Sequence, residues 1–144
     1  MPSQRHPVQS DILMFVTTNT LRRRRIFSHA AYASEAIDLL YRIQNLHPFL
    51  LFGFVIMPDH VHLLLNIPHP YSIATLMNAF KSGLTFDLGI GPLWQKRYDL
   101  RVPENGHSVL RYIHYNPVQA GLALSAQAYP WSSASGRYDV SMLP

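Results

Sequence analysis

The stretch that decides the fold is Phe54-Val55-Ile56-Met57-Pro58-Asp59-His60-Val61-His62-Leu63-Leu64-Leu65-Asn66. Its apolar flanks and β-branched centre predict strand on both sides of a Met-Pro-Asp turn. A connection that short makes the two strands an antiparallel hairpin. Side chains alternate faces along a strand, so His60 and His62 project together while Val61, Leu63 and Leu65 point the opposite way, toward a core. Two imidazoles side by side on a rigid strand are half of a metal site. The residues alone fit a pair of surface histidines equally well, and the other half must come from elsewhere in the chain.

Working outward, residues 49–56 are apolar enough for a strand buried on both faces, and residues 60–66 form its hairpin partner. Upstream, residues 12–18 read as a first strand, broken by Asn19 and Thr20. Residues 30–46 read as a helix, with Ala33, Ile37, Leu40 and Ile43 at helical spacing and His47-Pro48 as its stop. Downstream, Ser72 caps a second helix running to Leu88, with an apolar stripe of Ile73, Leu76, Met77, Phe80 and Leu84. Gly89 and Gly91-Pro92 end it, and residues 98–102 read as a fourth strand. The order strand, helix, strand, strand, helix, strand is that of the α+β ferredoxin-like split β-α-β pattern, a four-stranded antiparallel sheet with both helices on one face. The histidines then belong to the opposite, free face, and something after the fourth strand should cover it.

At 144 residues and 48% apolar content, the chain is expected to form a single domain over 1–144, with a flexible arm at 1–10 and a C-terminal tail at 123–144. The absence of cysteine excludes disulfides and cysteine-ligated zinc. No signal peptide and no membrane-spanning run is visible, so a cytoplasmic protein without a membrane partner is expected. A formal charge of +4, carried mostly by arginine, points to an anionic partner such as nucleic acid. Arg22, Arg23, Arg24 and Arg25 run consecutively after the first strand, where they read either as a solvated turn or as a grip on phosphates.

The second informative stretch is His107-Ser108-Val109-Leu110-Arg111-Tyr112-Ile113-His114-Tyr115-Asn116-Pro117-Val118-Gln119-Ala120-Gly121. Residues 107–115 are helical in propensity. Tyr112 and Asn116, four apart, share a helix face, and the Asn116 carboxamide oxygen is a hard ligand suited to magnesium or manganese. Asn116-Pro117 reads equally as a cap opening a new helical turn, and Tyr112 equally as a packing residue.

Together, Phe54–Leu65 with its Met-Pro-Asp-His-Val-His-Leu-Leu-Leu and Arg111–Leu122 with its Tyr-Ile-His-Tyr-Asn-Pro-Val-Gln-Ala-Gly-Leu resemble the two signatures of the single-tyrosine HUH transposases. The nearer resemblance is to their REP-associated tyrosine transposase branch. Leu93-Trp94-Gln95-Lys96-Arg97-Tyr98 and Tyr129-Pro130-Trp131-Ser132-Ser133 add lesser similarity, in the same order along nearly the whole chain. The resemblance implies the same ferredoxin-like fold with an added C-terminal tyrosine-bearing helix. It implies a divalent cofactor, Mg2+ or Mn2+, held by His60, His62 and Asn116, and Tyr112 as nucleophile. Tyr115 is displaced by roughly 300° around the helix and ranks below it. The implied activity is cleavage and rejoining of single-stranded or hairpin DNA through a 5′-phosphotyrosine, by a monomer or homodimer. Arg22 to Arg25, Lys96, Arg97 and Arg111 are the expected DNA contacts, with Lys81 a weaker one. Trp94 offers a stacking surface, although core packing explains it better. Asp59 occupies a turn, so no catalytic role is assigned to it. The competing expectation is a domesticated or non-catalytic nucleic-acid-binding module on the same fold.

Overall fold

The computed structural model describes residues 12–144; the arm expected at 1–10 lies outside the described residues. Strand β1 spans Met14–Thr20, helix α1 Ala30–Leu46, strands β2 and β3 Leu50–Met57 and His60–Asn66, helix α2 Ile73–Leu88, strand β4 Trp94–Arg101, and helix α3 Gly106–Gln119. The sheet is four-stranded in the order β2-β3-β1-β4, and every neighbouring pair is antiparallel. This is the α+β ferredoxin-like arrangement that the element order predicts. No helix among the described residues is long and apolar enough to cross a membrane.

The period of two along the strands sorts their residues onto two faces. Met14, Val16, Phe54, Ile56, Val61, Leu63 and Leu65 pack with the apolar stripes of α1 and α2 in the larger core. Phe52, Val55, Met57 and Leu64 face the other way, onto Ile113 of α3 and Tyr129. Both faces of β2 are therefore covered, which is why its sequence is continuously apolar. The Ser72 hydroxyl accepts from the Thr75 N–H at the start of α2, and Gly89, at φ 62°, ends that helix in the left-handed conformation glycine adopts freely.

The strand ends differ from the sequence expectation. β1 continues to Thr20 and β4 begins at Trp94 rather than at residue 98, because Thr20 and Trp94 pair across a register irregularity. β4 is an exposed edge strand, so backbone pairing holds it without an alternating apolar pattern to announce it. Helix α3 likewise runs past Tyr115 to Gln119, with Pro117 inside it. The reading of Asn116-Pro117 as a cap fails because Ile113 and Pro117, one turn apart, are both buried and anchor the continuing helix to the sheet.

Residues 123–144, read as a tail, run back over β2. The Ile56 N–H donates to the Trp131 carbonyl at 2.8 Å, the Tyr129 hydroxyl donates to the Ile56 carbonyl at 2.8 Å, and Val55 and Ser132 form an antiparallel bridge. Ser133 Oγ accepts from the Phe54 N–H at 2.9 Å and lies 2.7 Å from His114 Nε2 on α3. This segment ties the tyrosine-bearing helix to the sheet.

Candidate functional site

The histidine pair sits where parity places it. His60 and His62 leave the same face of β3, with ring centroids 4.6 Å apart. Each is oriented through its Nδ1 atom. His60 Nδ1 lies 2.7 Å from Asp59 Oδ1, and His62 Nδ1 lies 2.8 Å from Thr17 Oγ1, supplied by the neighbouring strand β1 opposite His62. The Asp59 carboxylate, which can only accept, favours the Nδ1–H tautomer of His60 and leaves Nε2 with its lone pair, whereas the Thr17 hydroxyl, able to donate or accept, orients the His62 ring.

The Nε2 atoms face inward. His60 Nε2 lies 3.2 Å from Asn116 Oδ1. With the His60 proton on Nδ1, donated in a hydrogen bond to Asp59, a nitrogen lone pair meets an oxygen lone pair there, a contact that a cation would turn from repulsive to attractive. His62 Nε2 is buried with no hydrogen-bond partner. An unsatisfied buried polar atom is costly in an ordinary core, and both features fit a divalent ion held by the two imidazoles and the carboxamide oxygen. Among the described residues no three His, Cys, Asp or Glu side chains come together to bind a metal, so a metal held here would need Asn116 as its third ligand. Burial, then the neighbouring charge of His60, pushes the His62 pKa down to about 3; the Asn116 side chain offsets this only in part. His62 is thus neutral at any ordinary pH.

Tyr112 lies one helical turn before Asn116 on α3. Its ring stands edge-on to His62 at 5.5 Å between centroids and to Phe15 at 6.2 Å, and it remains half exposed. In the single chain described, Tyr112 lies beside that chain's own histidine pair. These residues line an open cavity of about 610 Å³, whose rim includes Arg23, Asp99, Arg101 and Ser108. Tyr115 lies elsewhere, in a groove with Arg111, His114 and Gln127.

The four arginines have separate fates. Arg23 reaches the cavity, where Nη2 lies 3.1 Å from Asp59 Oδ2 and 3.4 Å from His60 Nδ1. Arg24 instead donates to the carbonyls of Leu21 and Pro92 and braces the approach to β4. Arg22 and Arg25 are exposed, with no cavity contact. Lys96 and Arg97 are exposed at the start of β4, outside the cavity lining. Arg111 donates to Ser108 Oγ and faces the Tyr115 groove. Lys81 is used structurally, donating to the carbonyls of Gln95 and Lys96. Trp94 packs against Phe27 and Phe80, as core packing requires. Thr17 and Arg101 were not singled out in the sequence, since nothing local marks which β1 residue faces His62 or which β4 residue reaches the rim.

The model of the IS200-like transposase family matches residues 9–116. Among solved structures, a REP-associated tyrosine transposase bound to a REP hairpin superimposes with a TM-score of 0.73 at 21% identity, covering 94% of this chain and 87% of that one. A protein of Deinococcus radiodurans, provisionally described as a transposase, gives a TM-score of 0.55 at 21% identity, covering 73% of this chain and 89% of that one. No curated protein matches the chain.

Proposed function

The chain belongs to the IS200-like transposase family, and from that premise we propose that it is a metal-dependent enzyme that cleaves and rejoins single-stranded or hairpin DNA through Tyr112. The observation that carries the reading is the convergence of Tyr112, Asn116, His60 and His62 on one cavity from two separate elements. The REP hairpin bound by the similar transposase structure supports hairpin DNA as the partner.

In the proposed reaction the Tyr112 oxygen attacks a backbone phosphorus. A P–O bond to tyrosine forms while the bond to the 3′ oxygen breaks, leaving a 5′-phosphotyrosine and a free 3′-hydroxyl. The tyrosine proton leaves to solvent, and the departing oxygen takes one up. A second 3′-hydroxyl attacks the phosphotyrosine and reverses the exchange, so no external energy source is required. His60, His62 and Asn116 would hold Mg2+ or Mn2+, which supplies orientation and polarisation of the scissile phosphate. Phe15 and His62 confine the Tyr112 ring laterally, and its exposed side admits the strand. Arg23 and Arg101 on the cavity rim provide cationic contacts for phosphates. Arg22, Arg25, Lys96, Arg97 and Arg111 lie outside the cavity and would meet more distant parts of the DNA.

Incubating the protein with a DNA hairpin bearing a single-stranded flank, in Mn2+ or Mg2+, is expected to yield a protein–DNA adduct that survives denaturing electrophoresis. The adduct should vanish in Tyr112→Phe and on chelation. A non-catalytic binding module would retard the DNA in native gels and give no adduct. An adduct that persists in Tyr112→Phe would remove the assigned nucleophile.

A further inference from the structure

Asp59 does more than close the β2–β3 turn. Its two carboxylate oxygens serve two different partners: Oδ1 lies 2.7 Å from His60 Nδ1, and Oδ2 accepts from Arg23 Nε at 3.2 Å, with Arg23 Nη2 at ion-pair distance, 3.1 Å. Its backbone is pinned as well, with the carbonyl accepting from the Thr20 N–H at 3.0 Å and the Thr20 hydroxyl at 3.1 Å. The opposing arginine is held in an uncommon conformation, since Arg22 and Arg23 have φ values of 57° and 55°. Consecutive non-glycine residues in the left-handed region are disfavoured and persist only where surrounding contacts impose them. Here that backbone turns Arg23 back over the cavity instead of into solvent.

We infer that Asp59 is the positioning carboxylate of the site: it holds the His60 proton on Nδ1, so that Nε2 is presented with Asn116 Oδ1 as a metal ligand, and it fixes Arg23 at the cavity rim as a phosphate contact. The inference rests on the metal-dependent reading of the site. The geometry shows what would happen without the carboxylate. Arg23 Nη2 is 3.4 Å from His60 Nδ1, and a guanidinium can only donate. Next to it Nδ1 would become the acceptor and the proton would move to Nε2. Nε2–H would then donate to Asn116 Oδ1, 3.2 Å away, and occupy two metal ligands with each other. Arg23 keeps half its side chain exposed, with N–H groups beyond those facing Asp59 and His60 free to meet a phosphate oxygen.

The full-length protein carrying Asp59→Ala tests this without DNA. Imidazole 15N spectra of the metal-free protein are expected to show the Nδ1–H tautomer of His60 in the wild type and the Nε2–H tautomer in the variant. Mn2+ affinity, read by electron paramagnetic resonance, should fall about 10–100-fold. Adding Arg23→Ala to Asp59→Ala should restore part of that affinity, a direction that a merely structural role of Asp59 does not produce. Asp59→Asn, which keeps the size of the side chain and offers one acceptor to two donors, should fall between and serves where the alanine variant does not fold. Unchanged tautomer and Mn2+ affinity would overturn the assignment, as would a wild-type protein that does not bind Mn2+. Neither readout depends on cleavage: a missing DNA adduct alongside the expected tautomer change removes the nucleophile and leaves Asp59 its role.

Discussion

His62 sits between Phe15 and Tyr112 with one nitrogen on Thr17 and the other unpartnered. Burial holds its folded-state pKa at about 3, against roughly 6.5 in an unfolded chain. The unfolded state therefore binds the extra proton first as pH falls. The stabilising contribution is complete above about pH 6.5 and is lost as pH drops from there toward 3. In chelator, wild-type stability to urea should decline between pH 7 and 5 by up to about 1.4 kcal/mol per pH unit from this group. His62→Gln should flatten that decline, and an identical slope in both proteins would contradict the assignment. The histidine parity was legible in the sequence because alternation is local. Thr17 was not, because facing His62 depends on the β1–β3 register, set by residues far apart in the chain. The arginine run was visible as a block, but its division into Arg23 at the cavity and Arg24 at the Pro92 carbonyl comes from a left-handed turn that no composition signal marks.

At the scale of elements, the placement of α3 matters most. Its close approach to β2 depends on Gly53, which sits beside a register irregularity between Leu51 and Gly53. A Cβ there would overlap the end of the Leu110 side chain and come within 3.3 Å of Ser133 Oγ. Gly53→Val is therefore expected to cost about 1–3 kcal/mol in stability and to lower adduct formation further than the stability loss explains, because α3 carries Tyr112 and Asn116. Denaturation midpoints and adduct yield measured on the folded variant check this; wild-type yield would show that α3 tolerates displacement. Helices α1 and α2 were readable from apolar spacing and from Ser72 and Gly89. The last turn of α3 was not, since Asn116-Pro117 reads locally as a cap opening a new helical turn and only burial of Ile113 and Pro117 against the sheet keeps one helix going. The role of residues 129–133 was equally hidden: Trp131 and Ser133 act through backbone and hydroxyl contacts to β2 and α3, which leave no periodicity.

For the molecule as a whole, the ferredoxin-like sheet divides the work between its faces. One face supports the core with α1 and α2, and the other carries the histidines beneath α3. With Tyr112 beside the histidines of its own chain, the proposed cleavage would need only one chain. Mixing Tyr112→Phe with a His60→Ala, His62→Ala variant should then leave the adduct absent, whereas recovery of adduct in the mixture would mean that the helix acts across two chains. The formal charge of +4 suits a nucleic-acid partner, yet it did not identify the arginine nearest the chemistry. The most direct measurement is peptide mapping by mass spectrometry of the adduct trapped on nuclease-trimmed DNA. A nucleotide phosphodiester on Tyr112 is expected; a nucleotide on Tyr115, or on no tyrosine of α3, would contradict the assignment of Tyr112 as nucleophile.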